Sequence, residues 1–412
     1  MADSGRHAVV VGAGIGGLTA AVALHRRGWR VTVCERAPGP SAVGAGIVLA
    51  PNALRALDVI GFDAGRAAGR SVAAAMGVRR PDGRWLSRAD TAAMAARYGR
   101  PPLAVHRGSL TAALAATLPA GTIRYGTGVS SVGQSAPNAP RRGCERPVVR
   151  TAGGAELTAD LVVAADGIHS PSRRRYVPDH PGLRYSGETA WRTVLAAAPD
   201  DGRAVAEPVA AETWGRGERF GTVPLADGRV YVYATAVAPE GHRPADVRAE
   251  LLRRFRTWHD PIPALLERMD PAAVLQHDLY DLAAPLPRHH LGRLVWIGDA
   301  AHAMTPNLGQ GGCQAIEDAV VLAHLVDGPD VPTALAAYDA ARGARTDALR
   351  VRARRAGRIA ALTNPFAVAA RDLAVRATPA RVARRALDDL FDGFTLPQPP
   401  APAAPSHTPF AA

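Results

Sequence analysis

Gly12-Ala13-Gly14-Ile15-Gly16-Gly17 stands between an apolar run, His7 to Val11, and an Ala/Leu-rich stretch that ends near Leu24. A G-x-G-x-x-G set between strand and helix is built to hold a pyrophosphate. Gly12 permits the tight turn, Gly14 lets the backbone approach the phosphates, Gly17 lets helix and strand pack closely, and the positive helix end faces the anion. Glu35 follows the next apolar run, Arg30 to Cys34, about 20 residues on, where a carboxylate accepts hydrogen bonds from ribose hydroxyls. Together these predict an adenine dinucleotide site and leave NAD and FAD both open.

Two further carboxylates end apolar runs. Leu161 to Ala165 stops at Asp166-Gly167, and Leu294 to Ile297 stops at Gly298-Asp299. A strand ending in this way presents its carboxylate at the carboxyl edge of a sheet, where α/β proteins bind ligands. Gly309-Gln310-Gly311-Gly312 then opens a helix through Ala315, Val320 and Leu322, and its N–H groups and dipole stabilise negative charge on whatever they face. Asp299 also reads as a helix-side cap. His302 has the chemistry of a base, but packing or hydrogen bonding is the better reading.

The elements that must position these residues follow from periodicity. His7 to Glu35 reads as a βαβ unit. Gly44 to Asn52 reads as a glycine-rich loop entering a helix at Pro51, Val72 to Ser87 as a hairpin turning at Pro81-Asp82-Gly83, and Gly108 to Leu118 as a helix. Ser131 to Pro147 reads as an irregular surface loop. Glu188 to Val237 becomes strand, turn, strand, with Ala226-Asp227-Gly228-Arg229 the clearest turn, so an antiparallel sheet is expected there. A helix over Ala245 to Trp258, a strand near Leu275 to Leu279, two helical stretches after Gly298-Asp299, and a Pro/Ala tail from Pro397 complete the chain.

At 412 residues, two connected domains are expected. No apolar run approaches the roughly 20 residues of a membrane span, and no signal-peptide h-region is seen, so a cytoplasmic protein is expected. Cys34, Cys144 and Cys313 fit neither a disulfide framework nor a metal knuckle. The net charge of +12 is carried by arginine, since the chain has no lysine. Arg342, Arg345, Arg350, Arg352, Arg354, Arg355 and Arg358 concentrate it without interleaved aromatic residues, which favours a solvated helical face over a nucleic-acid site.

Three segments, in this order, resemble those of the class A flavoprotein monooxygenases, the para-hydroxybenzoate hydroxylase-like family. They are Val105-His106-Arg107-Gly108-Ser109-Leu110, Asp166-Gly167-Ile168-His169-Ser170 with Arg173 beyond, and Gly298-Asp299-Ala300-Ala301-His302 with Pro306 and Gly309 to Gly312. The resemblance implies an α/β fold: a Rossmann-like FAD-binding domain of the glutathione reductase type, an inserted antiparallel-sheet substrate domain, and C-terminal helices. The implied division is 1–72, 101–178 and 285–330 for FAD, 73–100 and 179–284 for substrate, 331–396 for the helices and 397–412 for a disordered tail.

By resemblance, Arg107 contacts the flavin dinucleotide, Asp166 and Gly167 serve FAD and the nicotinamide cofactor, and Asp299 holds the ribityl chain. Gly46, Ile47, Pro306, Gly309, Gly311 and Gly312 complete the cofactor set. With one G-x-G-x-x-G in the chain, NAD(P)H binds transiently, and Arg36, Arg107 and Arg173 are candidate phosphate partners. FAD reduced by NAD(P)H would capture O2 as a C4a-hydroperoxide and hydroxylate or epoxidise a small aromatic or polycyclic substrate. The implied pocket is lined by Ile47, Val48, Leu49, Arg192, Trp214, Phe220, Pro224 and Met304 to Leu308. A flavin oxidase or reductase of the same fold, and a non-catalytic binding protein on this scaffold, are the competing readings. A halogenase would need a Trp-x-Trp-x-Ile-Pro segment, which is absent. Neither the substrate nor the oligomeric state is legible.

Overall fold

In the computed structural model, all residues are described except 1–4, 41–44, 70–74, 135–145, 197–208, 226, 329 and 399–412. The chain opens with β1 (His7–Val11), α1 (Ile15–His25) and β2 (Arg30–Cys34), followed by β3 (Gly46–Leu49), α2 (Pro51–Val59) and α3 (Ala64–Ala68). Next come β4 (Ala75–Arg79), β5 (Trp85–Asp90), α4 (Thr91–Tyr98), β6 (Leu103–His106) and α5 (Arg107–Ala115). After β7 (Ile123–Arg124), β8 (Val129–Gln134), β9 (Pro147–Thr151), β10 (Glu156–Thr158), β11 (Leu161–Ala164) and α6 (Pro171–Tyr176) the long strands begin. These are β12 (Leu183–Leu195), β13 (Val209–Trp214), β14 (Glu218–Pro224) and β15 (Val230–Val237), followed by α7 (Val247–Phe255), α8 (Ile262–Glu267) and β16 (Leu275–Leu282). The chain ends with β17 (His290–Leu291), β18 (Leu294–Trp296), α9 (Asp299–His302), α10 (Gly311–Leu325), α11 (Val331–Ala360), α12 (Pro365–Arg376) and α13 (Ala380–Phe391).

A six-stranded sheet in the order β17-β18-β11-β1-β2-β7 carries the expected βαβ unit. β1 lies between β11 and β2, parallel to both. Its strands are near-continuous apolar runs because both faces are covered, one by helices and the other by the three-stranded sheet β10-β9-β8, whose Val132, Val149 and Leu157 pack on Val9, Val162 and Ala164. α1 packs on α10, and with α2 and α11 they enclose the largest core, which includes Leu18, Leu24, Leu54, Leu57, Ile316, Val320, Leu335 and Tyr338.

The second sheet runs β16-β12-β15-β14-β13-β4-β5. It is antiparallel as expected, with one exception. β13 pairs parallel with β4, an arrangement that the long connection between these two strands permits. One face is covered by α7 and α8 around Trp191, Phe220, Phe255 and Trp258. On the other face Val194, Tyr231, Tyr233 and Val223 pack against Ala45, Val48 and Ala104, so this face rests on the separate two-stranded sheet of β3 and β6.

Three local expectations need correction. Gly46 to Leu49 is strand rather than loop: its β-branched run pairs antiparallel with Leu103–His106. Ser131 to Gln134 is likewise strand, paired with β9. The two helical stretches after Asp299 are instead a short α9 and four longer helices, including one of 30 residues. Gly44, Cys144, the first residues of the Val72 hairpin, Ala226 and most of the Pro/Ala tail lie outside the described residues, whereas the His324 ring meets the Pro397 carbonyl at 3.0 Å. No helix among the described residues is long and apolar enough to cross a membrane.

Candidate functional site: a glycine cradle facing a polar sheet face

The β1–α1 turn shows why each glycine is there. Gly12 has φ +102°, and a Cβ on it would lie 2.5 Å from the Ala165 carbonyl oxygen. A Cβ on Gly17 would lie 2.0 Å from the Gly12 carbonyl oxygen, and one on Gly16 would lie 3.1 Å from Ala315 Cβ. At Gly14 a Cβ would meet nothing within 4 Å. Three positions are therefore closed by the protein, and the fourth opens onto a cradle. Gly14 is also the N-cap of α1, where no side chain caps the helix and no acid occupies the first turn, so the N–H groups around Ile15 are left for an anion.

Around this cradle the other predicted cofactor residues converge. Glu35 accepts the Ala13 N–H at 2.7 Å and the Ala37 N–H at 2.8 Å, which fixes the carboxylate beside the turn and leaves lone pairs for a diol. Asp166 accepts the Ser172 N–H at 3.1 Å through Oδ2, while its Oδ1 is buried with no hydrogen-bond partner. Asp299 is exposed at the first residue of α9, and a Cβ on Gly311 would lie 3.9 Å from its Oδ1. α10 likewise begins with no side-chain cap and no acid in its first turn. A Cβ on Gly312 would strike Ile47 Cδ1 at 2.6 Å, so glycine is what brings α10 against β3. Gly167 and Gly309 take positive φ at the two turns. Pro306 is exposed on the segment before α10, and Met304 is buried beside Gly311. An open glycine cradle, two uncapped helix N-termini and an orphaned buried carboxylate oxygen fit an FAD, which Glu35, the Gly14 turn, Asp166, Asp299 and the start of α10 would hold.

Arg173 differs from its predicted role. It is buried, and it donates through Nη1 to the carbonyl oxygens of Asp299 at 3.2 Å and Ala300 at 2.9 Å and through Nη2 to that of Ile168. It is a clamp between the two Gly-Asp turns rather than a free phosphate partner. Arg36 and Arg107 are exposed, and the Arg107 N–H donates to Ala45 O at 3.1 Å, tying α5 to the start of β3.

The Arg-rich stretch also departs from the solvated face expected of it. Arg342 and Arg350 are buried. Arg342 donates to Asp318 at 2.7 Å, to Glu317 and to Gln314, and Arg345 holds Glu317 at 3.0 Å. Asp318 accepts the Gly298 N–H at 2.9 Å and meets His302 Nε2 at 2.6 Å. Asn52 joins the same network through Gln310 and Glu317. His302 thus serves hydrogen bonding, as read from sequence. This network, which fixes the Gly298 turn and the start of α10, was not identified from sequence. Its signal was the Glu317-Asp318 pair inside an otherwise apolar helix, since buried charges demand partners.

The sheet face toward the cradle carries Arg192, Val194, Tyr231, Tyr233, Glu212, Trp214 and Arg219, by cross-strand register. Val48 packs here too. Tyr231 lies over Gly46, where a Cβ would be 2.5 Å from the ring, and Tyr233 lies over Gly221. The Tyr231 and Tyr233 centroids are 5.6 Å apart. Burial pushes both phenols up, and Arg192 opposes this at Tyr231. His277, on β16 diagonal to Arg192, is held below its ordinary pKa by burial, then by the Arg192, Arg243 and Arg107 guanidiniums. Phe220 and Pro224 are corrections. Strand alternation turns both to the opposite face, where Phe220 meets Phe255 with centroids 5.5 Å apart and Pro224 pairs with Val230 of the helix-covered core.

The chain is similar to known proteins along most of its length. A family model described as FAD binding domain matches residues 6–353. The chain is 39% identical over 376 residues to the aurachin C monooxygenase/isomerase of Stigmatella aurantiaca, covering 90% of this chain and 94% of that protein. It is 35% identical over 392 residues to the 2-heptyl-3-hydroxy-4(1H)-quinolone synthase of Pseudomonas aeruginosa strain UCBPP-PA14, covering 93% and 97%. The crystal structure of Klebsiella pneumoniae HpxO complexed with FAD and uric acid superposes with a TM-score of 0.86 at 27% identity, covering 96% of this chain and 99% of that one.

Proposed function

The chain belongs to the FAD binding domain family and is an FAD-dependent monooxygenase, and on that premise we propose that it uses NAD(P)H and O2 to hydroxylate a flat nitrogen heteroaromatic of the 4-quinolone type. The observation that carries this reading is the face opposite the glycine cradle: Tyr231 and Tyr233, tilted at 34° with centroids 5.6 Å apart, and aliphatic Val48 and Val194 make an apolar surface suited to a flat ring, with Arg192 on the same face.

FAD, once reduced, supplies the activation of O2. The protein's residues do the rest. Tyr231, Val48 and Val194 exclude water and hold the ring plane. Arg192 binds the ring oxygen as an enolate, which raises electron density on the adjacent carbon, the position to be oxygenated. Asp299 and the N-terminus of α10 fix the cofactor edge, and the Arg342 network keeps that edge rigid. Arg36 and Arg107, both exposed, are the cations left to take the phosphates of a transient nicotinamide cofactor. The segments 73–100 and 179–284 supply the substrate side and 1–72, 101–178 and 285–330 the cofactor side of the cleft.

The test is NAD(P)H oxidation by the yellow holoenzyme under 18O2, with 2-alkyl-4-quinolones beside simple phenols. Ligand-stimulated oxidation and a quinolone gaining one labelled oxygen are expected. A phenol product with quinolones inert would replace the substrate class, and peroxide release with no oxygenated product would favour an oxidase.

A further inference from the structure

α12 carries an exposed apolar stripe that the proposed reaction does not use. Phe366 is 84% exposed and Leu373 69% exposed. Ala369, Ala370, Ala374 and Ala377 are exposed at the intervening i+3 and i+4 positions, so the stripe is continuous along the helix. Ile359, near the end of α11, is also 50% exposed. The helix's other side is firmly docked. Arg371 is buried, donates to the carbonyls of Gly215 at 3.2 Å and Ala360 at 3.1 Å, and lies 5.4 Å from the centroid of Trp214.

Charge identifies what the stripe fits. Between Leu349 and Leu387 the sequence has ten arginines and one carboxylate, Asp372, which is buried against Arg371. Arg355, Arg358, Arg376 and Arg381 are exposed, with no hydrogen bond or ion pair among the described residues. A second copy placed on this stripe would bring unpaired cations against unpaired cations. Nucleic acid would use the guanidiniums but has no need of Phe366 and Leu373. An anionic bilayer surface satisfies both, taking the arginines at its phosphates and the Phe and Leu side chains below them.

We propose that α12 and the end of α11 form a surface-docking site for anionic lipid membranes, which seats the protein on the bilayer without spanning it. Because α12 backs onto Trp214 at the edge of the polar sheet face, an apolar substrate dissolved in lipid would reach the enzyme beside its pocket.

The test is flotation of the full-length FAD-loaded protein with vesicles of equal phosphatidylglycerol and phosphatidylcholine, and with phosphatidylcholine alone. The protein is expected to float with the anionic vesicles at low salt and to stay behind with the neutral ones. F366S/L373S and R355Q/R358Q/R376Q should each weaken anionic binding by about 10-fold or more, with flavin absorption and melting temperature unchanged because these side chains are exposed. Absence of binding to anionic vesicles would overturn the proposal. So would binding insensitive to F366S/L373S, which would reduce it to net charge. Self-association abolished by F366S/L373S, or nucleic-acid binding that outcompetes the vesicles, would assign the surface to a second copy or to a polyanion instead. None of these outcomes depends on which substrate is oxidised.

Discussion

The Arg173 guanidinium donates to the backbone carbonyl of Asp299 at 3.2 Å, 126 residues away in sequence, and to that of Ile168, and so ties the Gly298-Asp299 turn to the Asp166-Gly167 turn. Burial holds the pKa of Arg173 below its ordinary value, opposed by the carboxylates of Asp166 and Asp299, yet an arginine stays cationic at any working pH. Arg173→Ala removes the donors to three carbonyls, each costing about 1–3 kcal/mol if left buried and unpaired. The expected result is a lower melting temperature together with FAD affinity reduced roughly 10- to 100-fold, read by flavin retention on gel filtration and by titration of the apoprotein. Full retention of FAD would mean that the turns hold their geometry without the clamp.

Two glycines of one motif should fail in different ways. Gly14 has an ordinary φ of −74° and open space at its Cβ, so Gly14→Ala should fold normally in the absence of flavin. Its methyl then stands where the phosphates must come, and FAD affinity should fall about 100-fold or more. Gly17→Ala puts a methyl 2.0 Å from the Gly12 carbonyl oxygen, so the backbone itself must shift, at about 1–3 kcal/mol or more. Thermal melts of the two apoproteins, run beside FAD titrations, separate the effects.

The cofactor side of this site was legible because its constraints are local. Gly12, Gly14 and Gly17 answer to atoms within one turn, and Asp166 and Asp299 announce themselves as the first polar residues after apolar strands. The substrate side was less so. Strand periodicity says that Trp214 and Phe220 alternate with their neighbours, but which face meets the flavin domain depends on pairing across the sheet, and Phe220 fell on the other side. The Arg-rich stretch misled for the same reason. Arg342 is 24 residues from Asp318, and only the packing of α11 on α10 reveals that the guanidinium is buried between two carboxylates. Arg342→Leu should therefore cost about 3–5 kcal/mol, by removing the buried cation that Glu317 and Asp318 share and leaving Glu317 to Arg345 and Asp318 to His302 and the Gly298 N–H. Chemical denaturation of the apoprotein measures it.

Stability should also respond to acid through His289. This ring is buried, 6.3 Å from that of His302, and its pKa is lowered to about 4 by burial first and by His302 and Arg342, against the pull of Asp318 and Asp339. A folded-state pKa below the ordinary 6.5 means that the unfolded chain binds the proton first. The contribution is then complete above about pH 6.5, declines as pH falls toward 4, and amounts to no more than about 3 kcal/mol. His289→Asn should flatten the melting temperature across that window, and an unchanged acid slope would place the titration elsewhere.

The two faces of the seven-stranded sheet give the most discriminating pair of variants. Arg192 faces the cradle, so Arg192→Ala should raise KM for an ionisable substrate by roughly 10- to 100-fold while leaving the unfolding stability within about 1 kcal/mol of wild type. Arg192→Lys, which keeps the charge but loses the planar fork, should fall between. Phe220 faces α7, so Phe220→Ala should cost about 3–5 kcal/mol of stability and leave KM unchanged in the fraction that folds. A KM effect at Phe220 with none at Arg192 would invert the assignment of faces, because cross-strand register ties Arg192 to Tyr233 and Phe220 to Ala234, and the two sets cannot share one side.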